Sequence, residues 1–203
     1  MWNRPHPTWK TLLEVGRIEL LGRHMDESEK EKFYPIKSEL YQLLLSAYCY
    51  NQKITKLPGR LQDMTRDWLL EEITALRHMA NGIILHLCNL DDESSEWSLR
   101  NVAKKLAKYK GRPASDDINK LLKEYRAELN RVNTKYRNQY IAHRNSEEYP
   151  NQFNLPDYRR LFAALIQKAV SICDRLWGSQ ISYGFKLGSL EGTIDFRIQL
   201  NLT

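Results

Sequence analysis

The chain has 203 residues, of which 42% are hydrophobic and 28% charged, and its 31 Lys+Arg against 25 Asp+Glu give a formal net charge of +6. That balance excludes wholesale disorder and is enough for one sizeable core. No apolar run is long enough for a bilayer span, Ile83–Leu85 for example ending at His86, and Met1–Pro7 lacks the apolar core of an export signal, so a cytoplasmic protein is expected. Cys49, Cys88 and Cys173 are far apart and show no metal-ligand spacing. A disulfide framework and a zinc ribbon are therefore poor readings, and all three are expected as small buried hydrophobes of a reduced protein.

In chain order, Trp9, Leu12, Leu13 and Leu20 suggest a weak first helix. Ile36, Leu40, Leu43, Leu44 and Ala47 form a helical stripe after Pro35, and Pro58-Gly59 is expected to break the chain. A long segment follows, with Met64, Trp68, Leu69, Ile73, Leu76, Ala80, Ile83, Leu87 and Leu90 on one side, ending in the polar run Asp91–Ser95. A short helix is expected over Trp97–Tyr109, and Lys110-Gly111-Arg112-Pro113 is the next break. Ser115 reads as an N-cap, with Asp116 and Asp117 placed to favour the helix dipole. Behind them Ile118, Leu121, Leu122, Tyr125, Leu129, Val132, Tyr136 and Tyr140 occupy one face of a long helix. Residues 145–156 read as loop. Leu161, Leu165, Ala169, Ile172, Cys173 and Leu176 make a last helix stopped by Gly178. The tail then alternates, through Ile181, Tyr183, Phe185 and Leu187 and again through Ile194, Phe196, Ile198, Leu200 and Leu202, with Gly188 and Gly192 between. Alternation of that kind reads as a β-hairpin.

The expected fold is mainly α: an up-and-down helical bundle over residues 1–178, with its core at roughly 36–178, and a C-terminal β-hairpin extension over 179–203. A lone hairpin is marginal in water, so this one should pack on the bundle or at an interface.

The charge is unevenly placed. Residues 1–100 carry 13 basic and 15 acidic side chains, residues 146–203 carry 6 of each, and residues 101–145 carry 12 basic and 4 acidic. The positive excess thus lies in one stretch, which would concentrate polyanions around it.

Of the five histidines, His78 and His86 share the long helix, but eight residues apart is not the usual metal-pair spacing. No Gly-rich phosphate loop, nucleophile elbow or paired-Cys redox motif is present. The end of the basic helix, Tyr136-Arg137-Asn138-Gln139-Tyr140-Ile141-Ala142-His143-Arg144-Asn145, sets a permanent cation and a titratable imidazole close together. Metal-free RNA cleavage needs such groups: a base for the 2′-hydroxyl, an acid for the leaving 5′-oxygen, and a cation for the phosphorane. Imidazole, with a pKa of about 6.5, can be base or acid near neutral pH, and arginine grips phosphate oxygens. Six residues of straight helix advance about 9 Å and turn about 600°, so Arg137 and His143 would point about 120° apart. Two copies about a two-fold axis could bring them together, and so could fraying near Ala142. On spacing alone, a capping imidazole and a surface arginine are the better account of the pair.

This string resembles the HEPN superfamily, whose signature is R-x(4–6)-H near the end of a long helix, with a polar residue after the arginine. Arg137, Asn138 and His143 fit that signature, and Tyr140-Ile141-Ala142-His143-Arg144-Asn145 is similar to the abortive-infection, Abi-U-like branch. The segment from Leu90-Asp91-Asp92 into Ser95–Leu99 is also similar. The resemblance implies a helical bundle, a homodimer with a composite cleft, and metal-independent endoribonuclease activity with no cofactor. Arg137, Asn138 and His143 would be catalytic, and RNA would meet Lys135, Tyr140 and Arg144. Many such proteins are toxins or phage-defence effectors, so an antitoxin protein is an implied partner. Other members are non-catalytic modules that bind nucleotides or proteins. A third reading is a plain nucleic-acid-binding protein acting through Lys104, Lys105 and Lys108.

Overall fold

A computed structural model describes residues 27–109, 116–135, 155, 158–186 and 193–202. They form a helical bundle with a small C-terminal sheet. The elements are α1 (Glu27–Arg60), a 3-10 turn (Leu61–Asp63), α2 (Arg66–Asp91), α3 (Leu99–Tyr109), α4 (Asp116–Lys135), α5 (Tyr158–Leu161), α6 (Ala163–Trp177), β1 (Gly184–Phe185), β2 (Ile194–Asp195) and α7 (Phe196–Gln199). The weak helix expected around residues 9–20, the Ser115 cap, and Tyr136 and Tyr140 of the long stripe lie outside the described residues.

Helix α1 departs from the sequence reading at both ends. It runs through Pro35 and Pro58 instead of starting after the first and breaking before the second. A proline inside a helix removes one backbone bond and crowds the preceding turn. Packing outweighs that cost here: Phe33 and Ile36, either side of Pro35, are both fully buried. The Phe33 ring lies 4.8 Å from that of Trp177. At the other end, Pro58 and Gly59 sit in the last turn, where the helix is about to stop in any case.

Helix α2 opens on a cap at Thr65, whose hydroxyl accepts from the Trp68 amide at 3.2 Å. It lies antiparallel to α1, because Glu39 meets His86 while Lys53 meets Glu72. The α2 stripe is buried from Ile73 to Leu90, but its expected first turns are not. Trp68 is exposed, and Met64 and Leu69 are only half-buried. Trp68 instead lies beneath the Arg60 guanidinium, 4.9 Å from ring centre to cation.

Helices α4 and α6 are antiparallel as well. Arg175 is 3.6 Å from Asp117, and Lys168 is 2.9 Å from Glu124 and 3.2 Å from Glu128. Between these ion pairs Leu122, Tyr125, Leu129 and Val132 face a core shared with Leu165, Ala169, Ile172 and Cys173. Helix α6 stops at Gly178, as its glycine suggested. That residue has φ 88° and closes the last turn by donating its amide to the Asp174 carbonyl at 2.8 Å.

The C-terminal extension packs on the bundle, but as less sheet than expected. Gly184 pairs with Asp195 and Phe185 with Ile194, antiparallel, and nothing more of the ladder forms among the described residues. Phe196–Gln199, read as strand from its alternation, is a helical turn. Asp195 caps it, accepting from the Arg197 amide at 2.8 Å. The reason is tertiary: Phe196 is fully buried against Tyr41 and Tyr48 of α1, with ring centres 5.6 and 5.5 Å apart, while Ile198 is left 70% exposed. The turn is held by a part-buried ion pair, the buried Arg197 Nη2 to the half-buried Asp174 Oδ2 at 2.5 Å, and Asp174 also accepts from the Ile181 amide at 2.9 Å. The Nε and Nη1 of Arg197 have no hydrogen-bond partner among the described residues. Asp174→Ala would therefore strand a buried guanidinium. It should lower the unfolding free energy by about 3–5 kcal/mol, read as a shifted urea midpoint with an unchanged m-value.

Candidate functional site: the basic helix and its anchors

Helix α4 leads into the Arg137–His143 string. Its backbone is described to Lys135, and Arg137, Asn138, Tyr140, His143 and Arg144 lie outside the described residues. The structure shows how α4 is held as far as Lys135.

Two adjacent residues tie α4 to the end of α2. Tyr125, fully buried, donates its hydroxyl to the Leu87 carbonyl at 2.7 Å. Burial pushes its phenol well above its ordinary pKa, so it stays a neutral donor. Arg126 uses all three guanidinium nitrogens. Nε donates to Asp91 Oδ2 at 2.9 Å and Oδ1 at 3.1 Å, Nη1 to Glu93 Oε1 at 2.6 Å, and Nη2 to the Asp91 carbonyl at 3.1 Å. The carbonyl bond supplies a partner to the C-terminus of α2, where helical carbonyls lack one. The hydrogen bond from Arg126 also holds the Glu93 carboxyl below its usual range.

The turn between α2 and α3 is fixed by side chains. Asn101 Nδ2 donates to the Ser95 carbonyl at 2.8 Å and to the Glu93 carbonyl at 3.0 Å, and Ser98 Oγ accepts from the Asn101 amide at 3.3 Å. Sequence reading saw Asp91–Ser95 as a polar break and the run into Ser95–Leu99 as part of the resemblance, without these bonds. The alternate carboxylates Asp91 and Glu93, together with an arginine on the facing helix, were the available signal.

The remaining candidates separate cleanly. His78 is exposed. His86 Nδ1 lies 2.9 Å from Glu39 Oε1, and Asn89 Nδ2 donates to the same oxygen at 2.8 Å. Among the described residues no group of His, Cys, Asp and Glu could hold a metal ion, and no helix is long and apolar enough to cross a membrane. Cys88 and Cys173 are buried as expected, whereas Cys49 is only half-buried. Burial pushes the Cys173 and Cys49 thiols up, which disfavours the thiolate. Of the lysines singled out on α3, Lys105 is engaged, 3.0 Å from Glu96 and 4.5 Å from the centre of the Trp97 ring. Lys104 is exposed. The side chain of Lys108 lies outside the described part.

No protein-family model, curated protein or solved structure matches this chain.

Two predictions follow from the anchors. Tyr125→Phe should cost about 1–3 kcal/mol, because the buried Leu87 carbonyl loses its side-chain donor, and a urea melt reads it. The His86 hydrogen bond holds the Glu39 carboxyl below its usual range. A depressed carboxylate adds stability above its unfolded pKa of about 4.3 and loses it as pH falls through the lower folded value. Glu39→Gln should thus be less stable than the natural chain at pH 7, with the difference closing below about pH 4.

Proposed function

We propose that this protein is a metal-independent endoribonuclease of HEPN type, a toxin or phage-defence effector, that cuts RNA by 2′-hydroxyl attack in the cleft of a homodimer. One observation carries the reading: the sequence Arg137-Asn138-x4-His143 follows directly on a long amphipathic helix inside the one basic stretch of the chain. The helical bundle and the firm anchoring of α4 support it, since a composite site needs its carrier helix held still.

In this reading one His143 takes the 2′-hydroxyl proton. Arg137 offsets the charge that builds on the phosphorane, and the second subunit's copy of the imidazole protonates the departing 5′-oxygen. Asn138 orients the pair or the phosphate, and Lys135, Tyr140 and Arg144 hold the strand by charge and stacking. The products would carry 2′,3′-cyclic phosphates.

The test is cleavage of a labelled single-stranded RNA by wild type, Arg137→Ala and His143→Ala, each checked for helical content and mass in solution. Cleavage should persist in EDTA, and His143→Ala should lose about 10²–10⁴-fold in rate while keeping its fold and dimeric state. A folded, dimeric His143→Ala that cuts as fast as wild type would sink the nuclease reading.

A further inference from the structure

Helices α3 and α4 enclose a cleft of about 460 Å3. Arg100, Ala103 and Lys104 line it from α3 at i, i+3 and i+4, and Asp116, Lys120 and Lys123 line it from α4 at i, i+4 and i+7. Ala103 and Leu122 are buried beneath it. Lys104, Lys120 and Lys123 are exposed, and none of them forms an ion pair among the described residues. The cleft therefore holds four permanent or near-permanent cations against one carboxylate, Asp116.

This imbalance follows from how α4 distributes its charges. Its other three acidic residues, Asp117, Glu124 and Glu128, are all drawn to Arg175 and Lys168 on α6. Glu93, at the α2–α3 turn, is shared between Arg126 at 2.6 Å and the cleft's Arg100 at 3.2 Å, and attracts Lys104 only at longer range, so the three lysines of the cleft keep no direct partner among the described residues. Lys120 and Lys123 are left without a direct ion pair among the described residues, Lys120 feeling Glu124 only at longer range.

We propose that this cleft binds the phosphodiester backbone of single-stranded RNA, as a strand-holding site separate from Arg137 and His143. The choice of RNA over another polyanion rests on the ribonuclease reading. The mode of contact rests on the cleft alone. None of its lining residues is aromatic, so it offers bases no stacking platform, and lysines meet phosphates as point charges. Binding there is independent of base sequence and steeply dependent on salt.

The experiment uses the full chain carrying His143→Ala, so that the strand stays intact under the nuclease reading, and a fluorescent RNA 20-mer read by anisotropy across a salt series. Adding Lys104→Glu with Lys120→Glu should weaken binding about tenfold or more and flatten the log Kd against log salt slope by about 1.4, the value for two single-strand phosphate contacts. Lys104→Gln with Lys120→Gln, which adds no carboxylates, should flatten the slope equally with a smaller loss of affinity. Lys56→Glu with Lys186→Glu, an equal change of net charge at exposed positions away from the cleft, should shift binding less than threefold. Equal weakening by the cleft and control pairs overturns the proposal. So does RNA binding that ignores the cleft pair while binding of a poly-glutamate peptide is lost. The two readings fail separately. Cleft dependence together with cleavage insensitive to His143 removes the nuclease and keeps the strand site, and the reverse result removes only the strand site.

Discussion

The bond set of Arg126 is the contact on which the arrangement of the basic half of the molecule depends. One guanidinium compensates two carboxylates and a helix-terminal carbonyl at the junction of α2, α3 and α4. Its position beside Tyr125 makes the junction two-layered, a buried neutral hydrogen bond beneath a half-exposed ionic one. The buried bond resists salt, and the charge-assisted bonds, with the Nε hydrogen shared between both Asp91 oxygens, add direction as well as energy. Removing either layer would loosen α4 from α2 near the middle of α4.

Charge on α4 is thereby sorted by face. Three of its four carboxylates go to α6, one arginine goes to α2, and Lys120 and Lys123 line the cleft beside α3. An exposed ion pair contributes little to stability, typically below about 1 kcal/mol. The effect of the α4–α6 pairs is instead to decide where the uncompensated charge ends up. A functional surface can result from ion pairs elsewhere on the same helix.

Much of this fold was legible in the sequence, because most of its helices bury one continuous face. The stripes of α1, α4 and α6 could be read from spacing alone, and Gly178 marked a true stop. The errors share one cause, local rules overridden by distant partners. Pro35 reads as a helix start, yet Phe33 and Ile36 are buried around it. The tail alternates like a strand, yet Phe196 is drawn into the aromatic pocket of Tyr41 and Tyr48 and the backbone curls to deliver it. Lys105 looked as available as Lys104 until Glu96 and Trp97 were found next to it. The candidate catalytic residues were legible as a motif only, since spacing along one chain does not say where side chains from two helices, or two subunits, converge.

The ion pairs between α4 and α6 also set the alignment of two helices whose apolar faces would tolerate more than one. Sliding α6 by one turn, about 5.4 Å, toward the start of α4 would move Lys168 from between Glu124 and Glu128 to between Lys120 and Glu124, trading one attraction for a repulsion. Leucine and isoleucine at helical spacing penalise such slippage weakly, whereas exchanging attraction for repulsion penalises it in one direction only. The pairs thus act as a one-way stop, holding the end of α4 at a fixed height against the rest of the bundle.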